Sequence, residues 1–268
     1  MTPQPGAAHI GTSGWSYDHW TGVLYEPQLP PRRRLEVYTT RFPTVELNAS
    51  FYRWPPARTF AGWRERLPPG FLLSVKAPRG LTHAKRLLEP EQWIDRIAAG
   101  WHELGSARAI LLVQLHPKHE RDDARLRYFL AHVPDWIRVA VEFRHPSWHV
   151  EDVFRILEEH GAAYCVMSGA NLPCVLRATT DLVYVRMHGP DHHHLYAGSY
   201  PDADLAWWAD RIGEWSRAGQ DVFVYFNNDG DANAVRNART LQALLGPDGA
   251  SHPAMSRASC RSLQGRST

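Results

Sequence analysis

Short apolar runs recur along the chain at Ala8–Ser13, Thr44–Ala49, Phe71–Lys76, Ala109–Leu115, Ile137–Phe143, Ala162–Met167, Leu182–Met187 and Asp221–Phe226. Each is rich in Val, Leu, Tyr or Phe and apolar on both faces, which predicts strands buried in a parallel sheet. Helical stripes fill most of the gaps. Leu35, Tyr38 and Phe42 share a face, as do Phe60, Trp63 and Leu67, and then Trp93, Ile97, Trp101 and Leu104. Leu126, Phe129 and Val133 repeat the spacing, followed by Val153 with Leu157. Leu205, Trp208, Ile212 and Trp215 form another stripe, and Ala234, Val235, Ala238, Leu241 and Leu245 the last. This periodicity predicts helices that lay one apolar side on a sheet, with Asp231 as N-cap of the final one. Only Ser168–Asp181 separates the sixth and seventh runs, too short a span for a full crossover helix.

Alternating strands and helices predict an α/β architecture, and the count of eight predicts closure into a TIM-type (β/α)8 barrel, irregular around the sixth unit. A doubly wound open sheet is the structural alternative. Residues 1–246 read as a single domain. Residues 247–268, rich in Ser, Arg, Gly and Pro, read as a disordered tail.

Composition narrows the classes further. At 44% hydrophobic, 22% charged and a net charge of +2, the chain is an ordinary globular protein, neither acidic nor basic enough to suggest a polyelectrolyte partner. Cys165, Cys174 and Cys260 have no zinc spacing and are too few for a disulfide framework. No apolar stretch reaches the roughly 18 residues of a membrane span, and the first strand begins too early for a signal peptide. The expected setting is the reducing cytoplasm, with no membrane partner. Oligomeric state leaves no mark on the sequence.

Candidate chemistry sits at the carboxyl ends of the strands, where barrels of this kind place their sites. Those ends read Ser13; Glu46, Asn48 and Ser50; Ser74 and Lys76; Gln114 and His116; Glu142 and Arg144; Ser168; Arg186 and His188; Asn227 and Asn228. Strand alternation puts Glu46, Asn48 and Ser50 on one face, Glu142 with Arg144, and Arg186 with His188. If that face points inward, charges from five strands converge. Burying ions is costly unless they are paired, so a functional pocket competes with a self-satisfied salt-bridge network. The two readings differ in consequence. A pocket predicts that Arg186→Ala and His188→Ala leave the melting temperature unchanged or raised, whereas a network predicts a large loss.

The functional reading assigns proton transfer to Glu142 and His188, with Glu46 assisting. Lys76, Arg144 and Arg186 hold charge on a small anionic or sugar-containing substrate. Gln114, Asn48, Asn227 and Asn228 supply polar contacts, and Trp15, Tyr52 and Trp148 supply aromatic walls. No cofactor is predicted. A divalent metal on Glu46, Glu142 and His188 is the lesser alternative, because the interleaved cations oppose it. Nucleic-acid binding through Arg32–Arg34 is a weaker alternative still, and a non-catalytic metabolite-binding barrel is the rival class.

Ordered motifs at these strand ends carry a family resemblance. They are Ile10-Gly11-Thr12-Ser13-Gly14-Trp15 with Trp20, Thr44–Tyr52, and Phe71–Pro78 with Thr82-His83. Gln114-Leu115, Glu142-Phe143-Arg144-His145-Pro146-Ser147-Trp148, Tyr184–Gly189 and Tyr225–Asp229 complete the set. The sequence resembles the YecE-like family, domain of unknown function 72, nearly throughout to about Leu245. The resemblance implies a β/α barrel, similar in fold to sugar isomerases and abasic-site endonucleases, and supplies no activity. Two segments depart from the family pattern. Met167-Ser168-Gly169 stands where an Asp is usual, and Gln114-Leu115-His116-Pro117 replaces a Gln-Leu-Pro-Pro run.

Overall fold

The computed structural model describes residues 4–191 and 193–246; the tail expected at 247–268 lies outside them. Eight strands form one parallel sheet: β1 (Ala8–Thr12), β2 (Thr44–Leu47), β3 (Leu72–Lys76), β4 (Arg108–Gln114), β5 (Val139–Glu142), β6 (Ala163–Ser168), β7 (Leu182–Met187) and β8 (Asp221–Phe226). Their order is β1-β8-β7-β6-β5-β4-β3-β2. A bridge between Ser13 and Glu46 joins the two ends of that order, with Gly14 N–H donating to the Glu46 carbonyl at 2.8 Å. The sheet is therefore a barrel. Gly11 permits the β1–β2 approach: a Cβ there would stand 2.2 Å from the Thr44 carbonyl oxygen, a contact only glycine avoids.

The helices wrap the outside, apart from the single turn Ala49–Tyr52, which follows β2 at the barrel mouth. They are α1 (Arg34–Thr39), α2 (Ala49–Tyr52), α3 (Ala57–Arg64), α4 (Glu91–Glu103), α5 (Asp123–His132), α6 (Glu151–Glu159), α7 (Asp202–Arg217) and α8 (Asn233–Leu245). Local chemistry explains their bounds. The Asp122 carboxylate caps α5 by accepting from Arg125 N–H at 3.0 Å, while α7 carries Asp202 and Asp204 in its first turn and Arg217 in its last, which suits the helix dipole. No helix fills the link from β6 to β7, as its length dictates. Instead Thr179 Oγ1 donates to the Ala162 carbonyl and accepts from Tyr164 N–H, both at 2.8 Å.

One cap differs from expectation. Asp231 does not cap α8. Asp231 and Ala232 both adopt left-handed backbone, with φ of 56° and 58°, and no side-chain cap forms.

Strand parity splits the core in two. Outward side chains such as Ile10, Val45, Val75, Val113 and Val224 pack with the helices. Inward ones, including Ile110, Leu112, Cys165, Met167, Tyr184, Phe223 and Tyr225, form a separate cluster inside the barrel. Toward the carboxyl ends this inner column turns polar. Tyr225 Oη shares hydrogen bonds with Thr44 at 2.7 Å and Ser74 at 2.8 Å, and the charged groups lie above them. Among the described residues no helix is long and apolar enough to cross a membrane.

Candidate functional site

The inward positions nearest the carboxyl ends of β2, β5 and β7 carry Glu46, Glu142 and Arg186, all without solvent-accessible surface. The Arg186 guanidinium spans the barrel between the carboxylates. Its Nη1 donates to Glu142 Oε2 at 2.6 Å and its Nη2 to Glu46 Oε1 at 2.7 Å. Glu46 also accepts from Ser13 Oγ at 2.5 Å and Tyr184 Oη at 2.7 Å. Glu142 accepts from Gln114 Nε2 at 2.6 Å and from Arg144 Nε. Two carboxylates thus face two guanidiniums, and the group is internally neutral. Burial alone would raise the Glu142 carboxyl, but the Arg144 and Arg186 charges outweigh it and hold the group well below the usual carboxylate range.

His188 is equally buried. Arg144 Nη2 lies 3.2 Å from its Nε2 and the Asn227 side-chain amide 3.3 Å from its Nδ1. A guanidinium only donates, so Nε2 accepts from Arg144, while the Asn227 amide nitrogen faces Nδ1. Burial first, then the Arg186 and Arg144 charges, push His188 down to about 3. The imidazole is neutral at physiological pH.

A cleft of about 550 Å³ opens above this floor. Lys76, Asn48 and Asn227 line it, with Phe51 and Tyr52 on one side and Tyr17, His19, Tyr196 and Asp229 around the rest. A larger hollow of about 720 Å³ lies at the opposite end of the barrel, lined by Pro5, Ile10, Pro43 and Leu245. Among the described residues no titratable side chain lines it, whereas Lys76, His19 and Asp229 line the smaller one.

Lys76 differs from the other cations of the site. Its Nζ lies 4.2 Å from the Phe51 ring centroid, and no described carboxylate lies within salt-bridge distance of it. Burial first, then the Arg186 charge, lower its pKa to about 7, against the opposite pull of Glu142 and Glu46. Two further groups face the cleft from far along the chain. His19 Nε2 lies 3.0 Å from Asp229 Oδ2 and 2.8 Å from the Asp229 carbonyl. Asp229 also accepts from Trp20 Nε1 at 2.6 Å.

The structure therefore brings most of the expected residues to one end of the barrel and sorts them by depth. Glu46, Glu142, Gln114, Arg144, Arg186 and His188 form the floor. Lys76, Asn48, Asn227 and Tyr52 reach the cleft. The Asn48 side-chain oxygen is buried without a hydrogen-bond partner.

Several expectations are corrected. Ser50 leaves the shared face because β2 ends at Leu47 and α2 begins at Ala49; its hydroxyl donates to the Leu47 and Lys76 carbonyls. Trp148 is no wall of the cleft: it is fully buried, stacks on Phe143 at 4.8 Å, and donates from Nε1 to the His119 carbonyl at 2.6 Å. Trp15 packs edge-on against Trp63 at 5.9 Å, away from the lining. Asn228 is a brace, donating to the Gly198 carbonyl at 2.9 Å and Asn237 Oδ1 at 2.8 Å.

The two lesser alternatives meet obstacles too. Arg186 occupies the place between Glu46 and Glu142, and no described set of three His, Cys, Asp or Glu side chains is arranged to hold a metal. Arg34 is turned inward onto Asp18 at 2.7 Å and the Tyr25 ring, and Arg33 pairs with Glu36, so Arg32–Arg34 is not an open basic patch.

Sequence reasoning missed Tyr184, His19, Asp229 and Tyr196. Tyr184 had a signal, since it shares parity with Arg186. The others lie on loops, where no periodicity applies.

Comparison with known proteins agrees with this architecture. A model of the family described as "Protein of unknown function DUF72" matches residues 9–259. The UPF0759 protein YunF of Bacillus subtilis is 29% identical, over 88% of this chain and 94% of its own length. A DUF72 family protein of Thermotoga maritima superimposes with a TM-score of 0.79 at 28% identity, covering 89% of this chain and 99% of that one. One from Enterococcus faecalis, at 20% identity, shares the fold with a TM-score of 0.78, over 88% of this chain and 94% of its own. The motifs, the barrel and the family model agree, and the chain belongs to the DUF72 family.

Proposed function

We propose that the protein is an enzyme performing acid–base chemistry, of the isomerase, lyase or hydrolase kind, on a small sugar-containing or anionic substrate bound in this cleft. The observation that carries the reading is Lys76, a cation without a carboxylate partner, set above a floor whose other charges already balance. A protein building only for stability would neutralise that amine or replace it.

Lys76 is the group that exchanges a proton with substrate, because a pKa of about 7 is matched to neutral operation. Glu142 and His188 act from below. Glu142 is saturated with donors and His188 is neutral and sealed, so with Glu46 they set the field around Lys76. The Asn48 oxygen without a partner asks for a donor such as a substrate hydroxyl. Phe51, Tyr52 and Tyr196 offer the aromatic faces on which a sugar ring packs.

The test is a thermal-shift screen of sugars, sugar acids and sugar phosphates on the wild type and on Lys76→Met. The reading expects compounds that stabilise the wild type and lose that effect in the variant. Compounds that stabilise both proteins equally, or a screen in which none stabilises the wild type, would overturn it.

A further inference from the structure

We propose that Lys76 is a covalent site, whose amine condenses with the carbonyl carbon of a hydroxylated aldehyde or ketone to form an imine. The inference rests on the reading of the cleft above and deepens it by naming the substrate class.

Three observations converge on this residue. The first is placement. Lys76 ends β3, its Nζ lies 4.2 Å from the Phe51 ring centroid, and it lines a cleft of about 550 Å³ large enough for a small carbonyl compound. The second is the state of the amine. Nucleophilic attack needs the unprotonated form, and a lysine held in an ion pair is locked in the other one. Arg144 and Arg186 engage both floor carboxylates, and no described carboxylate is in salt-bridge range of Nζ. Burial and the Arg186 charge favour the free amine further.

The third concerns what surrounds the incoming carbonyl. Asn48 presents an oxygen with no donor, and Asn227 lines the same wall. A carbonyl flanked by hydroxyls would satisfy such groups, whereas a bare carboxylate would face the Asn48 oxygen unfavourably. His19, with Nε2 held by Asp229, lines the same cleft.

The step balances as follows. The Nζ lone pair forms a bond to the carbonyl carbon while the C=O π pair moves to oxygen, which takes up a proton. The nitrogen sheds a proton to give the carbinolamine; its hydroxyl then takes up a proton and leaves as water while the nitrogen lone pair closes the C=N bond, which leaves the imine protonated. No oxidant or reductant is consumed. A protonated imine withdraws electrons from the adjacent carbon, acidifying its C–H bond or weakening its C–C bond. This favours isomerase or lyase chemistry over hydrolysis.

The chain's lysine content makes the proposal testable without knowing the substrate. Lys85 and Lys118 are the only other lysines; Lys118 is exposed and Lys85 pairs with Glu89 at 2.7 Å. Wild-type protein is incubated near neutral pH with glyceraldehyde and cyanoborohydride, which reduces an imine to a stable secondary amine, and modified lysines are mapped by peptide mass spectrometry. A parallel sample is labelled with a trace of acetic anhydride, which reports free, reachable amines without imine chemistry.

The expected result is trapping at Lys76 roughly tenfold or more above Lys118, as a nucleophilic lysine requires. Strong acetylation of Lys76 without trapping would overturn the imine and leave the acid–base reading standing. Failure of both at Lys76, with Lys118 labelled normally, would overturn both. Because all readouts are on the wild type, the outcome does not depend on a variant folding.

Discussion

Arg186 Nη1 lies 2.6 Å from Glu142 Oε2 while its Nη2 lies 2.7 Å from Glu46 Oε1, and none of the three side chains has solvent-accessible surface. A single guanidinium thus bridges carboxylates from two non-adjacent strands, and Arg144 supplies the second positive charge through Glu142. Removing it leaves the buried Glu46 carboxylate without a cation and Glu142 with Arg144 alone. Arg186→Ala is expected to cost about 3–5 kcal/mol, the usual penalty for breaking a buried pair from one side. Denaturant unfolding of the variant checks this. The network reading of Arg186 is therefore preferred over the expectation that its loss leaves the melting temperature unchanged.

His188 gives the protein an acid-sensitive term. Its pKa falls from 6.5 to about 3 on folding, so the unfolded chain binds the proton more readily. The stabilisation is complete above 6.5 and is lost as pH falls toward 3, with Glu142 adding a loss of the same sign. Urea melts across this range should show stability falling by a few kcal/mol, with a shallower slope in His188→Gln. A slope that is the same in both proteins would refute the assignment.

Lys76 works in the same sense at higher pH. Its pKa drops from 10.5 to about 7, so its contribution is fully favourable above 10.5 and is lost as pH falls toward 7. At neutral pH the residue is a liability. Lys76→Met is expected to raise stability by about 1–2 kcal/mol near pH 7, the common exchange of stability for function. The gain should shrink when melts are repeated at high pH.

Asn237 ties the loop between β7 and α7 to α8. Its Oδ1 accepts from Tyr200 N–H at 3.1 Å and from Asn228 Nδ2 at 2.8 Å. Nearby, Gly189 has φ of 100°, and a Cβ there would meet the Ala197 carbonyl oxygen at 2.1 Å. Asn237→Ala should cost about 1–3 kcal/mol by orphaning these donors. Hydrogen exchange should rise locally at Tyr200 rather than throughout the barrel.

What the sequence made legible follows from the period of a strand. Alternation groups Glu46 with Asn48, Glu142 with Arg144, and Arg186 with His188 on shared faces at one barrel end, and Gln114 is read there from its strand end. Parity fixes the face of a side chain but not its depth, so it could not tell that Glu142 and His188 lie beneath the cleft while Lys76 enters it. It also presumes that the strand continues, which is why Ser50 was misplaced: the chain leaves extended geometry after Leu47. Trp148 was misjudged for a related reason, since following a strand does not decide whether a ring faces the mouth or the helices. His19 and Asp229 meet across 210 positions, on loops where no period links them.

The reactive state of Lys76 can be read by carbon-13 NMR of the lysine Cε resonances, titrated from pH 5 to pH 11 and assigned with Lys76→Arg. One of the three signals should titrate with a midpoint near 7 and vanish in the variant. A Lys76 resonance titrating in the ordinary lysine range, about 10.4, would contradict the assignment of this amine as the working group of the cleft.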